Sequence, residues 1–203
     1  MKKFIIFMSI IIILLIIIIF LYFKDDIFFI ENNEIDSTNS LKISNTTSLD
    51  ISVEKELASY STEIKDDSEG RLTNISITCS ALNNSIIKPG DEFSFNSIVG
   101  EPTTEKGYQE ATVIIDDDYE TGIGGGNCQV SSTLYNAVLA VSTLEVTERN
   151  DHGLPVAYVP EGKDAAVSYS SSQDFKFKNN SNKKIKIELT NDNKTITAKI
   201  FQI

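Results

Sequence analysis

The chain begins with one long apolar run, and its remainder alternates between helical and strand-like patterns. Residues 4–23 consist almost entirely of Ile, Leu and Phe, and a helix of about 20 apolar residues spans the hydrocarbon core of a membrane. Two lysines precede the run and two aspartates follow it closely. The positive-inside rule therefore predicts an anchor with residues 1–3 in the cytoplasm and the rest outside. A cleaved signal peptide is the competing interpretation, but no small-residue cleavage pattern follows the run.

The chain after the apolar run divides into a polar segment and a patterned segment. Residues 24–65 are rich in Asn, Ser, Thr, Asp and Glu and show no sustained period. This composition predicts an extended extracytoplasmic tether, with a short helix around residues 53–60. Residues 66–203 are enough to bury one hydrophobic core, so they are predicted to form one domain.

Two segments of this domain have helical spacing. From Arg71 to Asn84, apolar residues recur three or four positions apart, at Leu72, Ile75, Cys79 and Leu82. From Cys128 to Val141 the same spacing links Val130, Leu134, Val138 and Val141. The second segment follows Gly122–Asn127, which is too rich in glycine for regular structure, and it is predicted to be the central helix.

Most of the remaining domain shows the period of two that is typical of strands. The predicted strands are 92–96, 111–116, 143–148, 155–159, 165–169, 175–178, 184–189 and 195–201. Helices come first, strands follow, and the two do not alternate regularly. The predicted fold class is therefore α+β, with an N-terminal transmembrane helix and one domain whose central helix packs on a mostly antiparallel sheet.

Charge and composition exclude several classes of function. The net charge of −11 argues against nucleic acid or an anionic lipid surface as a partner, because both require clustered Lys and Arg. One histidine and two distant cysteines cannot build a usual zinc shell, and Asp116–Asp118 lacks the spacing of a calcium loop. No Lys-Ser/Thr pair follows the glycines, as a phosphate-binding loop would require. No metal and no cofactor are predicted.

Five segments together resemble the VanW family, in the order in which that family has them. They are Pro89–Asn96, Gly107–Tyr108, Gly124–Asn136, His152–Ala165 and Asp174–Asn180. The block Gly-Gly-Gly-Asn-Cys-Gln-Val-Ser within the third is the most specific. The chain departs from the family pattern at Gly153, where Ser is usual. The resemblance implies a link to glycopeptide resistance, because the family is named for an accessory gene of those clusters, but it implies no particular reaction.

Cys128 has the sequence context of a nucleophile. It stands where a glycine-rich loop meets a helix start, and there the unpaired N–H groups and the helix dipole favour the ionised form of a thiol. His152, the single histidine, and Asp164 follow on predicted neighbouring strands. This order is similar to that of papain-like and transglutaminase-like enzymes, in which His pairs with the thiolate and the acid orients the imidazole.

Simpler roles remain open for these residues. Cys128 could be a buried structural cysteine or form a disulfide with Cys79, and the sequence does not decide whether that disulfide exists. His152 could merely bond a backbone carbonyl, and Asp151 is a second, weaker candidate for the orienting acid.

A binding groove is predicted beside the thiol. Gly124, Gly125 and Gly126 would allow a substrate backbone to approach closely, and the backbone N–H groups of Cys128 and Gln129 could stabilise an oxyanion. The other predicted groove residues are Ser131, which could instead cap the helix, Tyr135 and Tyr158. Arg149, like Arg71, could clamp a carboxylate such as a peptide end, or serve in a structural salt bridge.

The sequence therefore leaves two classes of function. The first is a thiol enzyme that carries out acyl transfer or amide hydrolysis on a peptide-containing wall component, such as peptidoglycan, or on a surface protein. The second is a non-catalytic wall-binding or accessory module that uses the same groove. In both cases the predicted location is the cell membrane, with residues 4–23 as the anchor and the domain outside.

Overall fold

The computed structural model describes residues 54–115 and 118–203. The predicted anchor and most of the predicted tether lie outside these residues. Within the described part, no helix is long and apolar enough to cross a membrane. The strands are β1 Lys55–Glu63, β2 Ile86–Ile87, β3 Glu92–Ser94, β4 Glu110–Ile115, β5 Asp118–Ile123, β6 Leu144–Glu148, β7 Lys176–Asn179, β8 Ile185–Asn191 and β9 Thr195–Gln202; the helices are α1 Glu69–Leu82, α2 Phe95–Val99 and α3 Asn127–Leu139, with a 3₁₀ turn at Thr104–Lys106.

The strands form three antiparallel groups, which confirms the α+β class. The largest sheet has the order β1-β9-β8-β2, a second has the order β3-β7-β6, and β4 and β5 form a hairpin. The helix α3 packs on β1 and β9, while α1 packs on β8 and on α3. The predicted central helix therefore lies on the largest sheet beside a second helix.

The core follows the periods read from the sequence. On α3 the stripe of Val130, Leu134 and Val138 is fully buried, and Val141 is nearly so. In β8 and β9 every second residue is buried, because one face of each strand packs against the helices. The same core extends to the smaller sheet through four buried phenylalanines. These are Phe93, Phe95, Phe175 and Phe177.

The prediction for the end of the tether was wrong. Residues 53–60 were expected to include a short helix, yet Lys55–Glu63 is the edge strand β1, paired antiparallel with β9. Only Thr62 of this strand is buried, and most of its other residues are polar and at least partly exposed. An edge strand with so little buried apolar surface shows only a weak alternation of apolar and polar residues. Its sequence is therefore hard to distinguish from that of an extended tether.

Two predicted boundaries were also wrong. The strand expected over 92–96 ends at Ser94, whose hydroxyl accepts a hydrogen bond from the Ser97 N–H and so caps α2. The loop expected from Gly122 begins later, because Gly122 and Ile123 belong to β5 and pair with Ala111 and Glu110. The hairpin partner of β4 was not predicted, because its sequence, Asp-Tyr-Glu-Thr-Gly-Ile, is largely polar and mostly exposed.

The strands predicted at 155–159 and 165–169 do not form. This stretch runs as turns and irregular chain, held by two isolated bridges, Asn150 to Ala166 and Ser168 to Gln173. His152 and Asp164 therefore lie in loops and not on neighbouring strands. Apolar and polar residues alternate along this stretch because one side of the loop packs on the domain. The same alternation is typical of a half-buried strand.

Candidate active site around Cys128

The three consecutive glycines turn the chain from β5 into α3. Gly124 and Gly126 have φ values of +91° and +112°, a region that side chains rarely adopt. Gly125 lies against β4, where an added Cβ would stand 2.5 Å from the Thr112 carbonyl oxygen. Each glycine is therefore required by conformation or by space. Together they place Cys128 in the first turn of the helix.

Cys128 is a free, half-buried thiol that faces a loop. Its Sγ lies 3.4 Å from the carbonyl oxygen of Val167 and 3.5 Å from the backbone nitrogen of the same residue. Cys79 is also free and is buried within the core, so the alternative of a disulfide is not realised. Among the described residues, the Cys128 N–H donates to no acceptor, which is expected at a helix N-terminus.

His152 joins Cys128 to Asp164. Its Nδ1 lies 2.7 Å from Asp164 Oδ2, and its imidazole lines the same cleft as Cys128, close enough for the thiol to affect its pKa. Because Nδ1 is engaged by the carboxylate, Nε2 is the nitrogen left for the thiol. Burial by itself lowers the pKa of His152, but the hydrogen bond and charge of Cys128, followed by those of Asp164, outweigh it and raise the pKa above 6.5.

Asp164 is held firmly by its surroundings. Arg149 Nη2 donates to Oδ1 at 2.6 Å, and Arg149 Nε donates to the Asp164 carbonyl at 2.7 Å. The His152 backbone N–H donates to Oδ2 at 2.7 Å. Burial raises the pKa of Asp164, but these hydrogen bonds and the Arg149 charge bring it below 3.8, so the group is a carboxylate at neutral pH. Asp151, the other candidate acid, is exposed and has no contact with the imidazole within the described chain.

Polar residues on α3 hold the Asp164 loop in place. The Ser131 hydroxyl donates to the Ala165 carbonyl at 2.5 Å, and the Ser132 hydroxyl accepts from the Ala165 N–H at 2.9 Å. One turn later, Asn136 Nδ2 donates to the Lys163 carbonyl at 2.7 Å. Ser131 was predicted to cap the helix or to bind substrate, and its bond to the Asp164 loop was not predicted. The available signal was the number of polar residues on the side of this helix that is buried, among them 131, 132 and 136.

A cleft of about 490 Å³ opens beside the thiol and the imidazole. The predicted residues Gly124, Gly125, Gly126, Gln129 and Tyr158 line it. Its walls are mainly apolar, and two of the lining aromatic residues are largely exposed. The principal apolar residues are Phe95, Val99, Pro102, Val113, Tyr119 and Tyr169. Burial raises the pKa of Tyr158, so its phenol is a neutral hydrogen-bond donor in this cleft.

Three residues predicted for the groove lie outside the cleft lining. Ser131 is fully buried, and Arg149 is committed to Asp164. Tyr135 packs edge-on against Phe175 with ring centroids 5.6 Å apart, and the Arg149 guanidinium carbon lies 5.9 Å from its ring centroid. These contacts make all three residues structural supports of the site.

The predicted oxyanion site is present only in part. The Gln129 N–H donates to the Gly126 carbonyl at 3.0 Å, so it is already used within the first turn of α3. The Cys128 N–H remains available. No group of three His, Cys, Asp or Glu side chains that could hold a metal ion occurs in the part of the chain with described coordinates.

Residues 70–201 match the model of a protein family described as VanW like protein. The chain belongs to the VanW family. This family segment begins within α1, includes α3 and every residue of the Cys128 site described above, and ends within β9.

Two curated relatives match the same region. One, named "Uncharacterized protein YoaR", is from Bacillus subtilis (strain 168) and is 41% identical over 133 residues, which is 66% of this chain and 43% of the relative. The other, named "Vancomycin B-type resistance protein VanW", is from Enterococcus faecalis (strain ATCC 700802 / V583) and is 28% identical over 138 residues, 66% of this chain and 50% of the relative. The chain thus matches about half the length of each relative. No solved structure matches it.

Proposed function

We propose that this VanW-family chain is a thiol-dependent acyl transferase or amidase that acts on a peptide-containing component of the cell envelope. The observation that supports this most directly is the imidazole of His152, which is hydrogen-bonded to the Asp164 carboxylate and lies in the same cleft as the Cys128 thiol. A thiol, a base and an orienting acid are the groups that many thiol enzymes use for nucleophilic catalysis at an acyl carbon.

The proposed reaction has two steps. In the first, the Cys128 sulfur attacks the amide carbonyl, the carbon–nitrogen bond breaks, and His152 gives its proton to the leaving amine. In the second, water or an acceptor amine attacks the resulting thioester, loses its proton to His152 and releases Cys128 as the thiolate. The Cys128 N–H stabilises the oxyanion in both steps, and the neutral Tyr158 phenol is a further donor in the cleft.

A non-catalytic wall-binding or accessory module is the second candidate. The cleft favours it, since a volume of about 490 Å³ with mostly apolar walls is large enough to bind a peptide segment without turnover. The relative whose name mentions vancomycin resistance suggests glycopeptide resistance as a setting for either candidate.

The proposed location is the outer face of the cell membrane, with residues 4–23 as an uncleaved anchor and residues 1–3 in the cytoplasm. Its support is the sequence pattern alone. Protease treatment of intact cells should remove the domain from the membrane fraction and leave cytoplasmic proteins intact. Recovery of a protease-resistant full-length chain from intact cells would contradict this orientation.

Alkylation of the full-length chain by iodoacetamide tests the proposed nucleophile. Burial raises the pKa of Cys79 to about 12, so Cys79 should label slowly, and the variant Cys128→Ser measures its contribution. At about pH 6 we expect Cys128 to label at least about tenfold faster in the natural chain than in His152→Ala, because the imidazolium stabilises the thiolate.

The matched control is Asp151→Ala, which removes an exposed charge beside His152 and should leave the labelling rate unchanged. Equal rates in the natural chain and in His152→Ala would rule out an activated pair and favour the binding module. If the pair is activated, incubation with isolated cell walls should release amines or peptides detectable by mass spectrometry, and Cys128→Ser should release none.

A further inference from the structure

Arg71 is the one arginine that the Cys128-His152-Asp164 arrangement leaves unused. It extends from the first turn of α1 and lines the same cleft as Cys128. Its stem lies against the helix start, since an added Cβ on Gly126 would meet Arg71 Cγ at 3.4 Å. Its guanidinium bonds the residue that follows the nucleophile, with Nη2 2.8 Å from Gln129 Oε1. The guanidinium therefore belongs to the cleft wall that carries the thiol.

The guanidinium is held in a fixed position. Gln129, its partner, is 1% exposed and donates through Nε2 to the Thr62 hydroxyl at 3.1 Å and to the Glu63 carbonyl at 2.9 Å. These bonds connect Arg71 through Gln129 to the end of β1. A donor group that is already positioned loses little conformational entropy when a ligand binds.

Arg71 has unused hydrogen-bonding capacity, and its guanidinium is not paired with a carboxylate in the described part of the chain. Nε is buried and has no acceptor, and the bond to Gln129 is the only side-chain hydrogen bond of Arg71 within the described residues. In the same part of the chain, no carboxylate oxygen lies within 4.0 Å of its guanidinium, whereas Arg149 is paired with Asp164 at 2.6 Å. The acids that line the cleft, Glu63, Asp66 and Glu101, are all exposed. The Ser68 N–H donates to Asp66 and is the main cause of its lowered pKa, to which the Arg71 charge adds a smaller part without a direct ion pair.

An unpaired guanidinium in a cleft with apolar walls is suited to an anion. Arginine presents its donors in a planar fork that matches a carboxylate, and such bonds are stronger where water is partly excluded. We propose that Arg71 binds a free carboxylate of the molecule whose acyl group Cys128 attacks. This inference rests on the proposed function and narrows it to acidic peptides that carry a carboxylate close to the bond attacked.

Paired alkylating probes test the inference on the full-length chain. The acid probes are iodoacetyl-glycine and the longer iodoacetyl-β-alanine, and the matched neutral probes are their amides. In each case the Cys128 sulfur forms a bond to the iodoacetyl methylene carbon and iodide leaves. Because the chain has a net charge of −11, general electrostatics disfavour the acids, so a preference for an acid requires a local cation.

We expect at least one acid to label Cys128 about tenfold faster than its amide and with saturation kinetics, as a charge-assisted pair would produce. In Arg71→Gln the ratio of acid to amide rates should fall to one or below, and continued labelling by the amide shows that the site remains folded. Arg71→Lys should recover only part of the preference, because it restores the charge without the fork. The matched control is Lys65→Gln, which removes another cation that lines the cleft and should leave the preference intact.

Equal rates for acid and amide at both lengths would overturn the carboxylate site. An acid preference that persists in Arg71→Gln would also overturn it. The same holds if Lys65→Gln abolishes the acid preference as fully as Arg71→Gln does. Failure of the proposed function gives a different result, since the amide probes would then label the natural chain and His152→Ala at the same rate. The ratio of acid to amide rates therefore tests Arg71, and the effect of His152 on the amide rate tests the nucleophile.

Discussion

At the scale of single residues, Asp164 connects the chemistry of the site to its support. Its carboxylate contacts the His152 ring and backbone on one side and the Arg149 guanidinium on the other. With both oxygens engaged, the carboxylate cannot rotate away from the imidazole without breaking a charge-assisted bond. The orientation of His152 toward Cys128 is thus set by a residue outside the cleft lining.

The raised pKa of His152 predicts how stability depends on pH. A group whose pKa is raised in the folded state stabilises it fully below the unfolded value of about 6.5, and this contribution is lost as the pH rises through the folded pKa. We expect His152→Gln to lower the free energy of unfolding by about 1.5–3 kcal/mol near pH 6, and by clearly less near pH 9. Urea unfolding of both proteins across this range measures the difference.

Asp164 sets the acid limit of the same window. Its pKa is lowered from 3.8, so its contribution is present above that value and is lost as the pH falls below it. The His152→Gln difference should therefore be greatest between about pH 4 and pH 6.5. Asp151→Asn is the control and should show no such dependence, because Asp151 is exposed. A His152→Gln difference that is independent of pH would contradict the assigned ion pair.

At the scale of elements, the site depends on how α3 begins and on what its polar side holds. The glycine turn brings the helix start against β4, and the hydroxyls of Ser131 and Ser132 fasten the chain at Ala165. The thiol belongs to the helix and the carboxylate to the loop, so these contacts determine the distance between them. The buried hydroxyls are thus part of the site although no ligand could touch them.

Gly125→Ala should damage this junction. The new Cβ would overlap the Thr112 carbonyl oxygen of β4, and either the strand or the helix start must move. We expect a loss of about 1–3 kcal/mol in the free energy of unfolding together with slower alkylation of Cys128. Thermal unfolding and iodoacetamide labelling of one preparation measure both effects.

Gly90→Ala is the matched control, since Gly90 has a φ of +82° and nothing within 4 Å of an added Cβ. It should cost about 1–2 kcal/mol through backbone strain alone and should leave the labelling rate unchanged. If Gly125→Ala labelled at the natural rate, close packing at Gly125 would not be what positions the thiol.

At the scale of the whole molecule, β1 connects the largest sheet to the site. It covers the edge of β9, and its end supplies the partners of Gln129, namely the Thr62 hydroxyl and the Glu63 carbonyl. Because Gln129 also holds Arg71, loss of β1 would leave buried polar groups without partners next to the nucleophile.

Truncation tests the extent of the domain. A chain that begins at residue 54 should unfold cooperatively and label at the natural rate. A chain that begins at residue 66 lacks β1, exposes the edge of β9 and should lose its cooperative transition, because typical domains have only about 5–15 kcal/mol of stability to lose. Circular dichroism during heating distinguishes the two chains. A cooperative transition in the shorter chain would show that β1 is dispensable.

The sequence by itself determined the parts of the fold that have strong periods. The apolar stripes on α1 and α3 and the alternation of apolar residues in β8 and β9 could be predicted because each element buries one regular face. The glycine block before Cys128 could be recognised for a similar reason. Positive φ values and the close approach of the backbone to β4 allow few residues other than glycine. These constraints act between residues that are close in the sequence, so they produce patterns that can be recognised in the sequence.

Only the tertiary structure decided which residues meet. Contacts between distant segments determine that β1 is an edge strand and that the chain around His152 and Asp164 is irregular. They also keep three predicted groove residues out of the cleft lining, namely Ser131, Tyr135 and Arg149. A salt bridge such as that of Arg149 with Asp164, or an orphaned donor such as Arg71 Nε, leaves no periodic trace in the sequence. The free energy of such contacts comes from groups that only folding brings together. The sequence therefore indicates which residues are candidates for the site, and the tertiary structure determines which of them interact.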